Sequence, residues 1–177
     1  QVTPFPGVIT RDRRIISICQ TAARVADSDA IVVLQGETGT GKSLLAEKLH
    51  RHSTRCLAPL IELNGTDLPE QFPGENGSAG LPISRSQLTR GATFVLNEID
   101  GVPSDVLRGL LDGLNELCNC GGPQPALKLV FTNKTTVPLQ EFHRLLGERA
   151  SADDQSLVSL TLPPLRERIT DIRPLAS

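Results

Sequence analysis

Ala30-Ile31-Val32-Val33-Leu34-Gln35-Gly36-Glu37-Thr38-Gly39-Thr40-Gly41-Lys42-Ser43 decides the architecture of this chain. Ala30 to Leu34 is a short, β-branched apolar run, the pattern of a strand buried on both faces. It stops at a glycine-rich stretch of the form GxxxxGK[ST]. Leu44-Leu45-Ala46-Glu47-Lys48-Leu49-His50 then combines high helix propensity with an apolar stripe from Leu44, Leu45 and Leu49. Strand, glycine loop and helix in that order predict an α/β fold with a loop built to hold phosphate.

A triphosphate carries several negative charges, so backbone N–H groups must come close to its oxygens. Gly36, Gly39 and Gly41 allow the conformations this needs, which larger residues resist, while Glu37, Thr38 and Thr40 complete the loop. Lys42 is placed to reach the β and γ phosphates, and the Ser43 hydroxyl to coordinate magnesium. The expected ligand is a purine nucleoside triphosphate, ATP with magnesium.

Outward from the loop, Gln1 to Thr10 reads as an irregular linker, and Arg13 to Val25 as a helix broken by Asp27-Ser28-Asp29. Further strands are expected at Pro59 to Leu63, Ala92 to Leu96 and Leu127 to Phe131, with a helix from Val106 to Leu117 and a loop from Pro69 to Ser86. Strands alternating with helices imply right-handed crossovers and a parallel sheet covered on both faces, with ligands at the carboxyl ends of the strands. Three polar residues fall at such ends. Glu98 is placed to polarise water, Asn133 closes its strand, and Asn97 stands where a magnesium-binding Asp is expected. A neutral amide oxygen holds a hard cation less strongly than a carboxylate.

With 177 residues the chain fits one domain, since a domain takes roughly 150. The formal charge of −2 offers no basic surface for nucleic acid, so DNA contact is expected only through a domain outside this chain. Trp and Tyr are absent, which leaves few platforms for base stacking. No apolar run is long enough to span a membrane and no signal-peptide pattern opens the chain, so a cytoplasmic location is expected. Cys19, Cys56, Cys118 and Cys120 lack CxxC pairing and read as reduced thiols rather than zinc ligands. Arg11, Arg13, Arg14 and the Arg166-Glu167-Arg168 cluster read as solvated faces or intramolecular pairs.

Four stretches together carry a resemblance: Leu34 to Lys42, Leu49-His50-Arg51-His52-Ser53, Gly91 to Ile99, and Leu162-Pro163-Pro164-Leu165-Arg166-Glu167-Arg168. They resemble the central AAA+ domain of bacterial enhancer-binding, NtrC-type regulators, the sigma-54 activator family, over nearly the whole chain. The resemblance implies a P-loop NTPase subdomain over residues 1–177 that binds ATP with Lys42 and Ser43 and uses Glu98 in hydrolysis. It also implies that Asn133 senses the γ phosphate, and that the domain self-assembles as a dimer or ring and acts on RNA polymerase. On the same resemblance, the helical lid of an AAA+ module is expected to be absent from these 177 residues.

The departures from that family are specific. Its GAFTGA loop motif, which touches the sigma factor, is missing from the corresponding Phe72 to Leu81. The arginine-bearing segment is replaced by Glu148 to Asp154, with Arg144 and Arg149 only weak stand-ins, and Asn97 replaces the Asp. They point to an ATP-binding regulator domain with weak or no hydrolysis that does not depend on sigma-54. The alternatives are an active ATPase that remodels the sigma-54 holoenzyme, with Glu98 and Asp100 rescuing the metal, and a ligand-sensing assembly module for a molecule such as a cyclic dinucleotide.

Overall fold

A computed structural model of the protein describes residues 3–28, 30–68, 91–119, 127–134, 157–169 and 171. Helix α1 (Arg13–Val25) lies where the apolar spacing put it. It starts at Asp12, whose carboxylate accepts the Arg14 N–H at 2.8 Å, the short acidic cap that helix starts favour. There follow β1 (Ile31–Gln35), α2 (Lys42–His52), β2 (Leu60–Asn64), β3 (Ala92–Asn97), α3 (Ser104–Asn119) and β4 (Leu127–Asn133).

Strands β1 to β4 run one or two residues past the apolar stretches that announced them, because Gln35, Asn64, Asn97 and Asn133 continue the ladders. Gln35 pairs with Asn133, and Asn64 with Asn97. β5 (Leu157–Thr161), which the sequence pattern did not announce, pairs with β1 from Ile31 opposite Leu157 to Gln35 opposite Thr161. The expected loop from Pro69 to Ser86, the Phe72 to Leu81 stretch, Arg144, Arg149 and Glu148 to Asp154 lie outside the described residues.

The five strands form one parallel sheet in the order β2-β3-β4-β1-β5. Alternation along each strand splits the core in two. Ile31 and Val33 share one face with Phe94, Leu96 and Phe131, against Leu107, Leu110, Leu111 and Leu114 of α3. Val32, Leu34, Val95 and Val130 face the other way, onto Ile15 and Ala22 of α1 and Leu45 and Leu49 of α2. At about 1.5–3 kcal/mol for each large side chain buried, these two layers carry most of the stabilisation. β1 is buried at all its positions, which explains its unbroken apolar sequence. No helix among the described residues is long and apolar enough to cross a membrane.

Two buried polar groups lock helices to the sheet. Lys128 of β4 donates through Nζ to the carbonyls of Val25 (2.6 Å), Ser28 (2.9 Å) and Ala30 (2.6 Å). It thereby supplies donors to carbonyls at the end of α1 and its exit turn, of which Val25 also accepts the Ser28 hydroxyl at 2.9 Å. Lys128→Met is expected to lower the unfolding free energy by about 3 kcal/mol, read as a lower urea midpoint at unchanged slope. An unchanged midpoint would mean that those carbonyls find other donors.

His50 of α2 meets the Thr93 hydroxyl of β3 through Nδ1 at 2.9 Å. Burial, and secondarily the Arg51 charge, lower its pKa from the ordinary histidine value. The unfolded chain therefore takes up a proton first on acidification. Stability from this group is complete above the unfolded value of about 6.5 and declines as pH falls through it toward the lower folded value. His50→Gln is expected to flatten the melting temperature between about pH 7 and pH 5.5 relative to the parent chain.

Candidate functional site

The loop joining β1 to α2 keeps its shape through its own backbone. The Gly36 N–H donates to the Asn133 carbonyl at 3.1 Å, and the Glu37 carbonyl accepts the Thr40 N–H at 3.3 Å and its hydroxyl at 2.8 Å. A Cβ on Gly36 would sit 2.6 Å from the Leu162 carbonyl oxygen, so only glycine lets the two chains pass. At Gly39 and Gly41, φ is 82° and 101°, and among the described residues no atom beyond the immediate chain neighbours lies within 4 Å of where a Cβ would be. The backbone is left-handed there and the space beside it is open. Because α2 starts on Gly41 without a side-chain cap, its first amides face that space, an arrangement that suits an anion.

Lys42 and Ser43 begin α2. Ser43 is exposed, whereas Lys42 is buried, its Nζ donating to the carbonyls of Gly36 (2.6 Å) and Glu37 (2.9 Å). Burial lowers the lysine pKa, and the carboxylates of Glu98 and Asp100 oppose that shift. The ammonium thus lies in the field of both acids.

Asn97, Glu98 and Asn133 come together at the same sheet edge. Glu98 has a left-handed backbone, φ 56°, a conformation that costs a non-glycine residue about 1–3 kcal/mol. The turn is held by Thr132, whose hydroxyl accepts the Glu98 N–H at 3.0 Å and whose carbonyl accepts the Ile99 N–H at 3.1 Å. Gly65, after β2, allows the approach, since a Cβ there would lie 2.5 Å from the Glu98 carbonyl oxygen. The Glu98 carboxylate pairs with Lys134 at 2.8 Å, and Asp100 accepts the Lys134 N–H at 2.5 Å. Asn97 Oδ1 accepts the Thr132 hydroxyl at 3.1 Å. Asn133 is buried, and its Oδ1 has no partner among the described residues.

Beside the loop opens a pocket of about 270 Å³, with apolar walls from Val8, Ile9, Ile18, Leu44, Leu162 and Leu165. Its polar margin is Thr10, Thr40 and Arg168. Sequence reasoning treated residues 1–10 as an irregular linker and missed this wall. Buried Phe5 and partly buried Val8 hold the segment on the core, a signal with no periodicity to reveal it.

Comparison with known proteins places this geometry. Residues 8–76 match the family model described as the sigma-54 interaction domain. The Nif-specific regulatory protein of Rhizobium meliloti is 34% identical over 191 residues, an alignment that covers 96% of this chain. The chain belongs to the sigma-54 interaction domain family. NtrX from Brucella abortus, solved in complex with ADP, matches 95% of the chain with a TM-score of 0.67 at 20% identity, the match covering 40% of the NtrX chain. The P-loop NTPase domain of an E. coli sigma-54 transport activator matches 89% of the chain and 99% of its own, with a TM-score of 0.53 at 18% identity. The fold is therefore the P-loop NTPase fold, as the resemblance implied. The chain spans 34% of the length of the Rhizobium regulator.

In this sigma-54 interaction domain the LPPLRER residues do more than face solvent. Arg166 forks onto the Glu37 carboxylate with two contacts of 2.6 Å, and Arg168 donates to the Thr40 carbonyl at 3.0 Å. The Arg166 guanidinium holds the Glu37 carboxyl below its ordinary pKa. Both arginines form intramolecular pairs, as their sequence suggested, and their partners are in the loop. For a magnesium ion the fit is partial: Ser43 is exposed beside the open cradle, while the Asn97 amide oxygen is already engaged by Thr132.

Proposed function

We propose that this domain binds ATP for a bacterial transcription regulator, hydrolyses it slowly or not at all, and acts without sigma-54. The observation that carries the reading is the pairing of an intact, open phosphate cradle at Gly39 and Gly41 with Asn97 at the position where a carboxylate is expected. The amides of the loop and the Lys42 ammonium would hold the β and γ phosphates, and the apolar pocket would take the base and ribose.

Magnesium, when bound, would supply charge neutralisation of the β and γ oxygens, with Ser43 as its protein ligand and Asn97 a weak second. Glu98 is the residue to orient water, and Asn133 the one to meet the γ phosphate. Independence from sigma-54 is supported by the absence of a GAFTGA motif from the sequence. Self-assembly and contact with RNA polymerase belong to the same proposal and draw on the family.

A second reading, the remodelling ATPase, is favoured by Glu98 and Asp100, which remain as acids beside Lys42. ATP affinity measured with magnesium, alongside phosphate release over a range of protein concentrations, separates the two. Binding with negligible release supports the regulator; release that climbs with concentration establishes the ATPase.

A further inference from the structure

Residues 162–169, with Asp171 beyond them, form a strap along one side of the pocket. On the phosphate side the strap is tied to the loop and its strand: the Leu162 N–H donates to the Gln35 carbonyl at 2.8 Å, and Arg166 and Arg168 hold Glu37 and Thr40. Its other end ties to the N-terminal wall through one buried carboxylate. Asp171 Oδ2 accepts the Thr10 hydroxyl at 2.6 Å, while Oδ1 accepts the N–H groups of Arg11 at 2.6 Å and Asp12 at 3.3 Å. None of these donors is a cationic side chain. The Asp171 N–H in turn donates to the Arg168 carbonyl at 2.8 Å. A hydrogen-bonded path therefore joins Thr10, Asp171, Arg168 and Thr40 around the pocket.

We propose that Asp171 is a positioning residue for the nucleoside half of the site. Its carboxylate pins the Gly7–Arg11 wall to the strap, so the cavity between them exists before a base and ribose enter. Thr10 and Asp171 are 161 residues apart in sequence, and the wall has no regular structure of its own to hold it. Without the carboxylate Phe5 and Val8 still hold the start of the segment on the core, but Ile9 to Arg11 must be ordered at the moment of binding, and that penalty falls on the nucleoside alone. The phosphate cradle keeps its own supports: Gly36 on Asn133, Thr40 on Glu37, and the uncapped start of α2. This inference rests on the nucleotide-binding reading above.

The test is calorimetric binding of ATP and of inorganic tripolyphosphate, both with magnesium, to the full chain and to Asp171→Ala and Thr10→Val. Asp171→Ala is expected to weaken ATP about tenfold and Thr10→Val about threefold, with tripolyphosphate changed less than about twofold. Thr10→Val deletes a single hydroxyl and leaves the carboxylate bonded to Arg11 and Asp12, so folding is not at stake in that variant. Equal losses for the two ligands overturn the proposal, as does unchanged ATP affinity in both variants.

A second readout needs no nucleotide. Cys19 is buried on the pocket wall, and its thiol is pushed up to about 11 by burial. Its alkylation rate, followed by peptide mapping, is expected to rise at least about fivefold in Asp171→Ala as the wall opens. An unchanged rate overturns the proposal. Should the parent chain bind neither ligand, the nucleotide reading fails, while the alkylation rate still decides whether Asp171 closes the pocket.

Discussion

Lys42→Ala is expected to weaken ATP binding at least about a hundredfold while leaving the fold intact, the largest single loss at this site. The ammonium is buried beside two loop carbonyls and within the field of Glu98 and Asp100, where water screens it poorly. A triphosphate offers it a full charge in place of those two carbonyls, and a charge-assisted hydrogen bond contributes about 1.5–3 kcal/mol. The loop does not depend on the lysine for its shape, because Gly36 hangs on Asn133 and Thr40 on Glu37. Calorimetric titration with ATP checks the affinity and circular dichroism the fold. Parent-like affinity in Lys42→Ala would place the nucleotide outside this loop and remove the basis of the proposed function.

The phosphate half of the site was legible because each part has a local cause. An apolar run long enough for one strand, three glycines and a helix-forming stretch follow one another without interruption, so no long-range contact is needed to recognise them. Asn97, Glu98 and Asn133 were legible for a related reason: they are the polar stops of apolar strands, and in a parallel sheet those stops gather at one edge.

The apolar pocket beside the loop was hidden because its parts meet only in three dimensions. Val8 and Ile9 sit in a segment without periodicity, and the carboxylate that anchors it comes from the far end of the described chain. β5 escaped notice for a similar reason. Leu157-Val158-Ser159-Leu160-Thr161 is short and polar at two of its positions, three of its side chains are only partly buried, and its identity as a strand comes from pairing with β1 at the sheet edge. The strap arginines read as solvated faces or intramolecular pairs, with no partner to name. Their partners, Glu37 and Thr40, lie 129 and 128 residues away, a separation that pattern reading does not bridge.

Asn97→Asp is expected to raise phosphate release at saturating ATP by at least about tenfold, and Glu98→Gln in the same background to abolish the gain. The Thr132 hydroxyl holds the Asn97 amide by its oxygen, which leaves that amide no second oxygen for a cation. An aspartate has two. One can keep the Thr132 hydroxyl while the other faces the phosphates with the negative charge that a hard divalent ion prefers. The backbone that presents Glu98 keeps its supports in the variant, since the Thr132 hydroxyl still accepts the Glu98 N–H while it donates to residue 97, and the Thr132 carbonyl still accepts the Ile99 N–H. ATP affinity in the presence of magnesium should strengthen in Asn97→Asp and become more sensitive to chelator, a readout independent of turnover. If Asn97→Asp changes neither turnover nor the chelator response, the amide is not what limits hydrolysis. The restraint must then lie in the Glu98–Lys134 pair or in a contribution from outside this domain.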